Sequence, residues 1–430
     1  MTATRGHRGL LTVAAAVLLA GCTGSTGVAT STPSQTSASA TGTSAPANSP
    51  ATSGPETSSA SGTGSASPTA GTGSPQAALD QALAELVAMP GGPPGVISIV
   101  QVGDDRTVHT AGVADVKTGA APDIGDHMRI ASAAKAFSGA TALALVDKGV
   151  LSVDDTIGKW LPDQPKAWAN VTLRQLLSHT SGLPDFSKSP EFAKAVGASL
   201  TVPPPPEKLL TYVADEPLQF PPGSQYLYDN SDNIAAALMI QAATKKTYAQ
   251  ALKEQVLDPL GLTGTSLPVG IEVPEPVLRG YELDPPNPPE DVTGLIAAGW
   301  SWASGGIVST PQDMNTFIRG YVGGKLFGPG TQALQTKLFI PGGESGPPGP
   351  GINSASMALF RYETPCGVVY GHTGNTPGYT QFAVASPDGT RSATMAMNLA
   401  RNADGKGPEL QVLHALQQAE AAAVCAALAG

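Results

Sequence analysis

Residues 23–75 consist almost wholly of Ser, Thr, Ala, Gly and Pro, with Glu56 their only charge. Such a stretch cannot bury enough apolar surface to fold, so it limits what the rest of the chain must do. As a flexible tether it has an r.m.s. span of roughly 40 Å, at about 5–6 Å per square root of residue number. Setting it and the 22 residues before it aside leaves about 355 of the 430 residues, ample for one buried core. Those residues hold 22 of the 24 basic and 33 of the 34 acidic side chains, a net charge of −11. An acidic domain with no Lys/Arg block argues against nucleic acid as a partner. Three cysteines rule out a disulfide scaffold, and no Cys-x-x-Cys suggests zinc or thioredoxin chemistry.

The N-terminus reads as an export signal. Arg5 and Arg8 precede an apolar run from Leu10 to Ala20, too short to cross a bilayer. The run ends in Leu19-Ala20-Gly21-Cys22, which resembles the lipobox of bacterial lipoproteins. That resemblance implies lipidation at Cys22 and a lipid anchor on the outer face of the cell membrane. The expected organisation is therefore a signal peptide over 1–21, a lipidated Cys and linker over 22–75, and a folded domain over 76–430.

From residue 76 the pattern becomes periodic. Leu79, Leu83, Leu86 and Val87 share one helical face over 77–89, and Pro90-Gly91-Gly92 stops that helix. Strands are predicted at 95–102, 106–114, 366–372, 379–386 and 392–398, with helices at 132–148, 172–178 and 408–427. Strands at both ends with helices between them imply one sheet assembled from distant segments. The fold class is thus α/β (α+β): an antiparallel sheet flanked by terminal helices, plus a mostly helical subdomain, with a site in the cleft between them.

Ser132-Ala133-Ala134-Lys135 is the one Ser-x-x-Lys in the chain. One helical turn places the amine on the face of the hydroxyl, within reach of its proton. Buried among donors, such a Lys can lose its proton near neutral pH and act as base. Downstream come Tyr228-Asp229-Asn230, after Pro222-Gly223, and His372-Thr373-Gly374-Asn375. In order and type these three elements resemble the active-site set of the class C β-lactamase-like serine hydrolases. That superfamily includes D-alanyl-D-alanine carboxypeptidases, class C β-lactamases and related esterases. Leu176–Leu183 and Ala303–Thr310 also match stretches typical of the family, so the resemblance covers roughly residues 78–428.

The resemblance implies roles residue by residue. Ser132 is the acylated nucleophile, and Lys135 and Tyr228 are the candidate bases. Asn230 hydrogen-bonds a substrate amide, His372 and Thr373 complete a polar network on an edge strand, and Gly374 admits the ligand. Backbone N–H groups of Ser132 and Asn375 form the oxyanion hole, and Trp300 is a cleft wall. In the DD-peptidases of actinobacterial type, His also stands in the third motif, and a Cys before it pairs with one in the last helix. That implies a Cys366–Cys425 disulfide. Those enzymes hold the substrate carboxylate with an Arg on the preceding strand, whose aligned position here is Phe360. Arg361 can reach the cleft only if the register shifts by one residue, because one step turns a side chain to the other face.

Ser231-Asp232-Asn233 spells a class A β-lactamase motif, but the 96-residue spacing from Ser132 to Tyr228 fits the Tyr-x-Asn reading, leaving Ser231 and Asp232 structural. His109, His127, His179 and His414 show no ligand-like spacing, so no metal or cofactor is expected. There is no Gly-x-Ser-x-Gly elbow. The expectation is a monomeric, penicillin-binding acyl-enzyme hydrolase of D-Ala-D-Ala-type cell-wall peptides, with an esterase or β-lactamase as rival. A non-catalytic muropeptide- or penicillin-binding lipoprotein is the reading from another class.

Overall fold

The computed structural model describes residues 74–337, 340–341, 349–401 and 405–429. The expected signal segment, Cys22 and the linker up to residue 73 lie outside the described residues. Helix α1 (Pro75–Ala88) starts at Ser74, whose Oγ accepts the Ala77 N–H, satisfying one orphan donor of the first turn. It leads into a hairpin of β1 (Gly95–Val102) and β2 (Asp105–Gly112). A long helical region follows, built around α2 (Ala134–Asp147), α3 (Ser231–Thr244) and α4 (Pro311–Val322). The chain then returns through β3 (Ile340–Pro341), β4 (Ile352–Ala355), β5 (Phe360–Thr364), β6 (Gly367–Thr376), β7 (Tyr379–Ala385) and β8 (Arg391–Met397). Helix α5 (Pro408–Leu428) closes it.

Among the described residues the main sheet has eight strands in the order β2-β1-β8-β7-β6-β5-β4-β3, every neighbouring pair antiparallel. β1 pairs with the last strand, from Val96 opposite Met397 to Val102 opposite Arg391, as expected for a sheet made from both ends of the domain.

Alternation along the strands splits the core into two layers. On one face Val96, Val100, Phe382 and Met395 meet Leu79 and Leu83 of α1 and Leu416 of α5. On the other, Ile97, Ala383 and Ala396 meet the helical region. There α2 is buried from Ala134 to Leu145, the mark of a helix apolar all round that runs through a core. Phe137 of α2 stacks on Phe317 of α4, ring centroids 3.6 Å apart. Burial of each ring is worth about 2–3 kcal/mol. The structure links Cys366, in the β5–β6 turn, to Cys425 of α5, pinning the closing helix to that hairpin.

Candidate active site

Ser132 lies two residues before α2. A single 3₁₀ turn, Ala131–Ala133, precedes the helix, so the helix starts two residues later than the sequence pattern suggests. The reason is Ala131, whose φ of 49° is left-handed. For a residue with a Cβ that conformation costs about 1 kcal/mol or more. It persists because Ile130 N–H is held by the Ile307 carbonyl and Met128–Arg129 pairs with Val308–Ser309.

Lys135 is fully buried. Its Nζ donates to Ser132 Oγ at 3.2 Å, Asn230 Oδ1 at 2.7 Å and the Ser304 carbonyl at 2.9 Å. Three acceptors match the three protons of an ammonium, and Nζ also lies 4.9 Å from the centre of the Tyr228 ring.

The loop carrying Tyr228 is stitched to a second segment, since Gly223 and Leu227 donate N–H bonds to the carbonyls of Thr180 and His179. That stitching brings three rings together: His179 at 4.6 Å from Tyr228, and His372 and Phe360 each at 6.4 Å. Burial pushes His179 down to about 3, helped by the nearby Lys135 charge. His372 is also lowered to about 3, again by burial first, with the Thr373 carbonyl opposing and Lys135 assisting. Both imidazoles are therefore neutral at pH 7.

Strand β6 supplies the opposite wall. A Cβ on Gly374 would meet the Ile130 carbonyl oxygen at 2.3 Å and Ser132 N at 3.1 Å, so only glycine lets the strand lie against the nucleophile turn. β6 is not an edge strand, contrary to expectation. β5 flanks it, but that ladder ends at Gly371 opposite Phe360, whereas the ladder to β7 runs on to Thr376 opposite Tyr379. Thr376 and Tyr379 close a two-residue Pro377-Gly378 turn with Gly378 at φ 81°. Such a closing pair exchanges hydrogen bonds. Alternation then turns the Asn375 N–H away from β7, to the side where β5 has stopped. An edge is thus created inside a sheet.

Several expectations are corrected. Thr373, fully buried, sits opposite Phe382, so alternation turns its side chain to the face opposite His372 and Gly374. The Asn375 side chain donates to the Arg401 carbonyl at 2.5 Å, leaving its backbone as the part that can serve the site. Trp300 belongs to a 3₁₀ turn. Trp300 is 3% exposed, its indole N–H donates to the Leu200 carbonyl, and its ring meets Phe192 edge-on; it packs the helical region and presents no open face to a ligand. The β5–β6 ladder runs without a bulge, so Arg361 stands opposite Tyr370, on the face that alternation gives His372 and Gly374, and its guanidinium pairs with Glu363. Phe360 holds the aligned position, its ring edge-on to His372 at 5.0 Å.

Four contributors escaped sequence reading. His179 Nδ1 lies 2.9 Å from Asp232 Oδ2, which makes both part of the wall behind Tyr228. Asp185 and Ser187 hold Asn230. The signal for three of them was the Ser178–Gly182 and Pro184–Ser187 run, which follows a short helix and carries polar residues into a buried place. The rest of the Ser231-Asp232-Asn233 triplet is structural: Ser231 Oγ donates to the Pro184 carbonyl and Asn233 Nδ2 to Ser138 Oγ. Burial raises Asp229 and Asp232 well above the usual carboxylate range, reinforced by Asp185. Among the described residues no group of three or more His, Cys, Asp and Glu is placed to hold a metal.

A hydroxyl just before a helix, an amine one turn on, a buried phenol and a glycine-bearing strand against the hydroxyl's turn form one constellation. The Beta-lactamase family profile matches residues 79–417, and the chain belongs to that family. It is similar to penicillin-binding protein 4* of Bacillus subtilis, 28% identical over 40% of this chain and 37% of that protein. A second relative is the D-alanyl-D-alanine-carboxypeptidase/endopeptidase AmpH of Escherichia coli, 27% identical over 58% of this chain and 63% of that one. The chain thus spans less than two thirds of these curated relatives. Among solved structures it resembles a D-stereospecific amidohydrolase from Streptomyces sp., with 27% identity and a TM-score of 0.68, covering 79% of this chain and 98% of that one.

Proposed function

We propose that this protein is an acyl-enzyme hydrolase that cleaves the amide or ester bond of a small substrate with a D-configured residue on the acyl side. The observation that carries this reading is Lys135 Nζ held between Ser132 Oγ and Asn230 Oδ1, with the Tyr228 ring beside it. Ser132 Oγ attacks the carbonyl when the Lys135/Tyr228 pair has lost one proton, as a neutral amine or as a phenolate beside the ammonium; the Ser132 proton passes to that vacant site, and the leaving amine or alcohol takes it back. Water then releases the acyl group. The N–H groups of Ser132 and Asn375 are the candidate donors to the oxyanion.

D-stereochemistry is supported by the similarity to the Streptomyces amidohydrolase and to AmpH. With Phe360 at the aligned position and the Arg361 guanidinium already paired with Glu363, an uncharged group beyond the scissile bond fits better than a C-terminal carboxylate. That ranks an amidase, esterase or endopeptidase above a strict DD-carboxypeptidase. Penicillin binding follows from the same acylation machinery. Export and lipid anchoring through Cys22, which would set the enzyme beside peptidoglycan, belong to the same proposal; radiolabelled palmitate that still labels a Cys22→Ser variant would remove the anchor.

The test is intact-mass analysis after incubation with penicillin, with a p-nitrophenyl ester and with a D-alanine amide. A mass shift on Ser132 with at least one probe is expected. No adduct with any of them, under conditions where the protein is folded, overturns the reading.

A further inference from the structure

The side-chain amide of Asn230 can be turned over without changing its shape, exchanging an acceptor for a donor. Here its surroundings choose. On one side stand Asp185 Oδ1 and Oδ2, 3.4 and 3.3 Å from Nδ2, and Ser187 Oγ at 3.0 Å. Ser187 spends its hydroxyl proton on Asp185 Oδ1 at 2.8 Å, so towards Asn230 it can only accept. Ser187 N–H also donates to that oxygen at 3.0 Å, and Lys188 Nζ lies 3.9 Å from the other one. Every contact of the carboxylate is with a donor. A turned-over Asn230 would set its oxygen against three oxygens, and Asp185 and Ser187 are both 5% exposed, which leaves water little room to mediate.

We propose that Asp185 and Ser187 form an orientation lock on Asn230. They are positioning residues: they present its Nδ2 inward, aim Oδ1 at Lys135 Nζ, and so hold the amine against Ser132 Oγ. Without the lock the amide can turn its NH2 to Lys135, donor against donor, and the amine is pushed off the nucleophile. The lock rests on the proposed acylation chemistry for its consequence, though not for its geometry.

A charge swap tests it. Asp185→Asn keeps an oxygen for the Ser187 N–H, so the melting temperature is expected to stay within a few degrees. The acylation rate constant should nevertheless fall about 10- to 100-fold with ester binding unchanged, the loss typical of a displaced catalytic group. Asn230→Asp alone sets carboxylate against carboxylate and should lose at least as much. The double variant, with Asp at 230 facing Lys135 and Asn at 185 donating to it, should recover most of the rate. Wild-type acylation by Asp185→Asn, or a double variant no faster than its slower parent, overturns the lock. A second readout needs no turnover: NMR of the Asn230 side-chain NH2 should show hydrogen exchange at least tenfold faster in Asp185→Asn, and equal exchange also overturns it. If no probe acylates the wild type, the proposed function fails while this exchange measurement still decides the lock.

Discussion

The ring of His179 lies against the ring of Tyr228, centroids 4.6 Å apart and planes tilted by 41°, while its Nδ1 faces Asp232. His179 also has a φ of 53°, so the chain accepts backbone strain to keep the imidazole there.

That placement predicts a pH dependence. His179 is depressed to about 3 in the fold, so below about 6.5 the unfolded chain binds a proton that the native chain does not. Its contribution is present above pH 6.5 and is lost as pH falls towards 3, by up to about 1.4 kcal/mol per pH unit. The stability advantage of the wild type over His179→Asn, measured by urea unfolding, should therefore shrink between pH 7 and pH 4. An advantage constant across that range would contradict a neutral buried imidazole.

Glu420 of α5 carries the opposite sign. It is 1% exposed, its Oε2 meets no hydrogen-bond partner among the described residues, and burial raises its carboxyl well above the usual range. A raised carboxyl contributes stability below about pH 4 that is lost as pH rises through its folded value. Glu420→Gln should melt at a higher temperature than the wild type at pH 8 and converge with it near pH 4.

Gly374→Ala should cut acylation of Ser132 by about a hundredfold, since a misplacement of about 1 Å at the reacting atoms costs that much. Gly197→Ala, with open space around its Cβ, should be neutral. Stopped-flow acylation with a chromogenic β-lactam compares the two, and equal rates would remove Gly374 from the nucleophile's wall.

Arg361→Ala should change kcat/KM on a D-Ala-D-Ala peptide and on an uncharged ester by the same small factor. A loss confined to the peptide would restore Arg361 as a carboxylate clamp and return the DD-carboxypeptidase reading to first place.

Removing the disulfide by Cys366→Ser should destabilise the fold by up to about 4 kcal/mol on the chain-entropy model for a loop of 59 residues. Calorimetry of oxidised protein and variant gives the difference. No change would mean that the packing of α5 suffices without the link.

What could be read from the sequence depended on how local the cause was. Helices α1 and α5 and strands β1, β7 and β8 show in their periodicity, and Ser132, Lys135, Tyr228 and His372 stand out through residue types at set spacings. What did not show was decided by partners far along the chain. Trp300 stands where the family has a cleft wall, yet its 3₁₀ turn puts it under Phe192 and Leu200. The edge character of β6 arises where β5 ends, a property of neither strand alone. Asp185 and Ser187 look like ordinary loop polars until Asn230 arrives from 45 and 43 residues away.

The pairing of β1 with β8 also governs when this protein can become reactive. Ser132 is synthesised early, but the strand bearing Gly374 comes far later, and β1 has no neighbour on its β8 side until Met397 has been made. Until Ile307 and Gly374 have been made, a growing chain carries Ser132 in a turn without the partners that hold it in the fold. On the proposed acylation chemistry, reaction at Ser132 would then report assembly, separating chains in which β6 and β8 have arrived from those in which they have not.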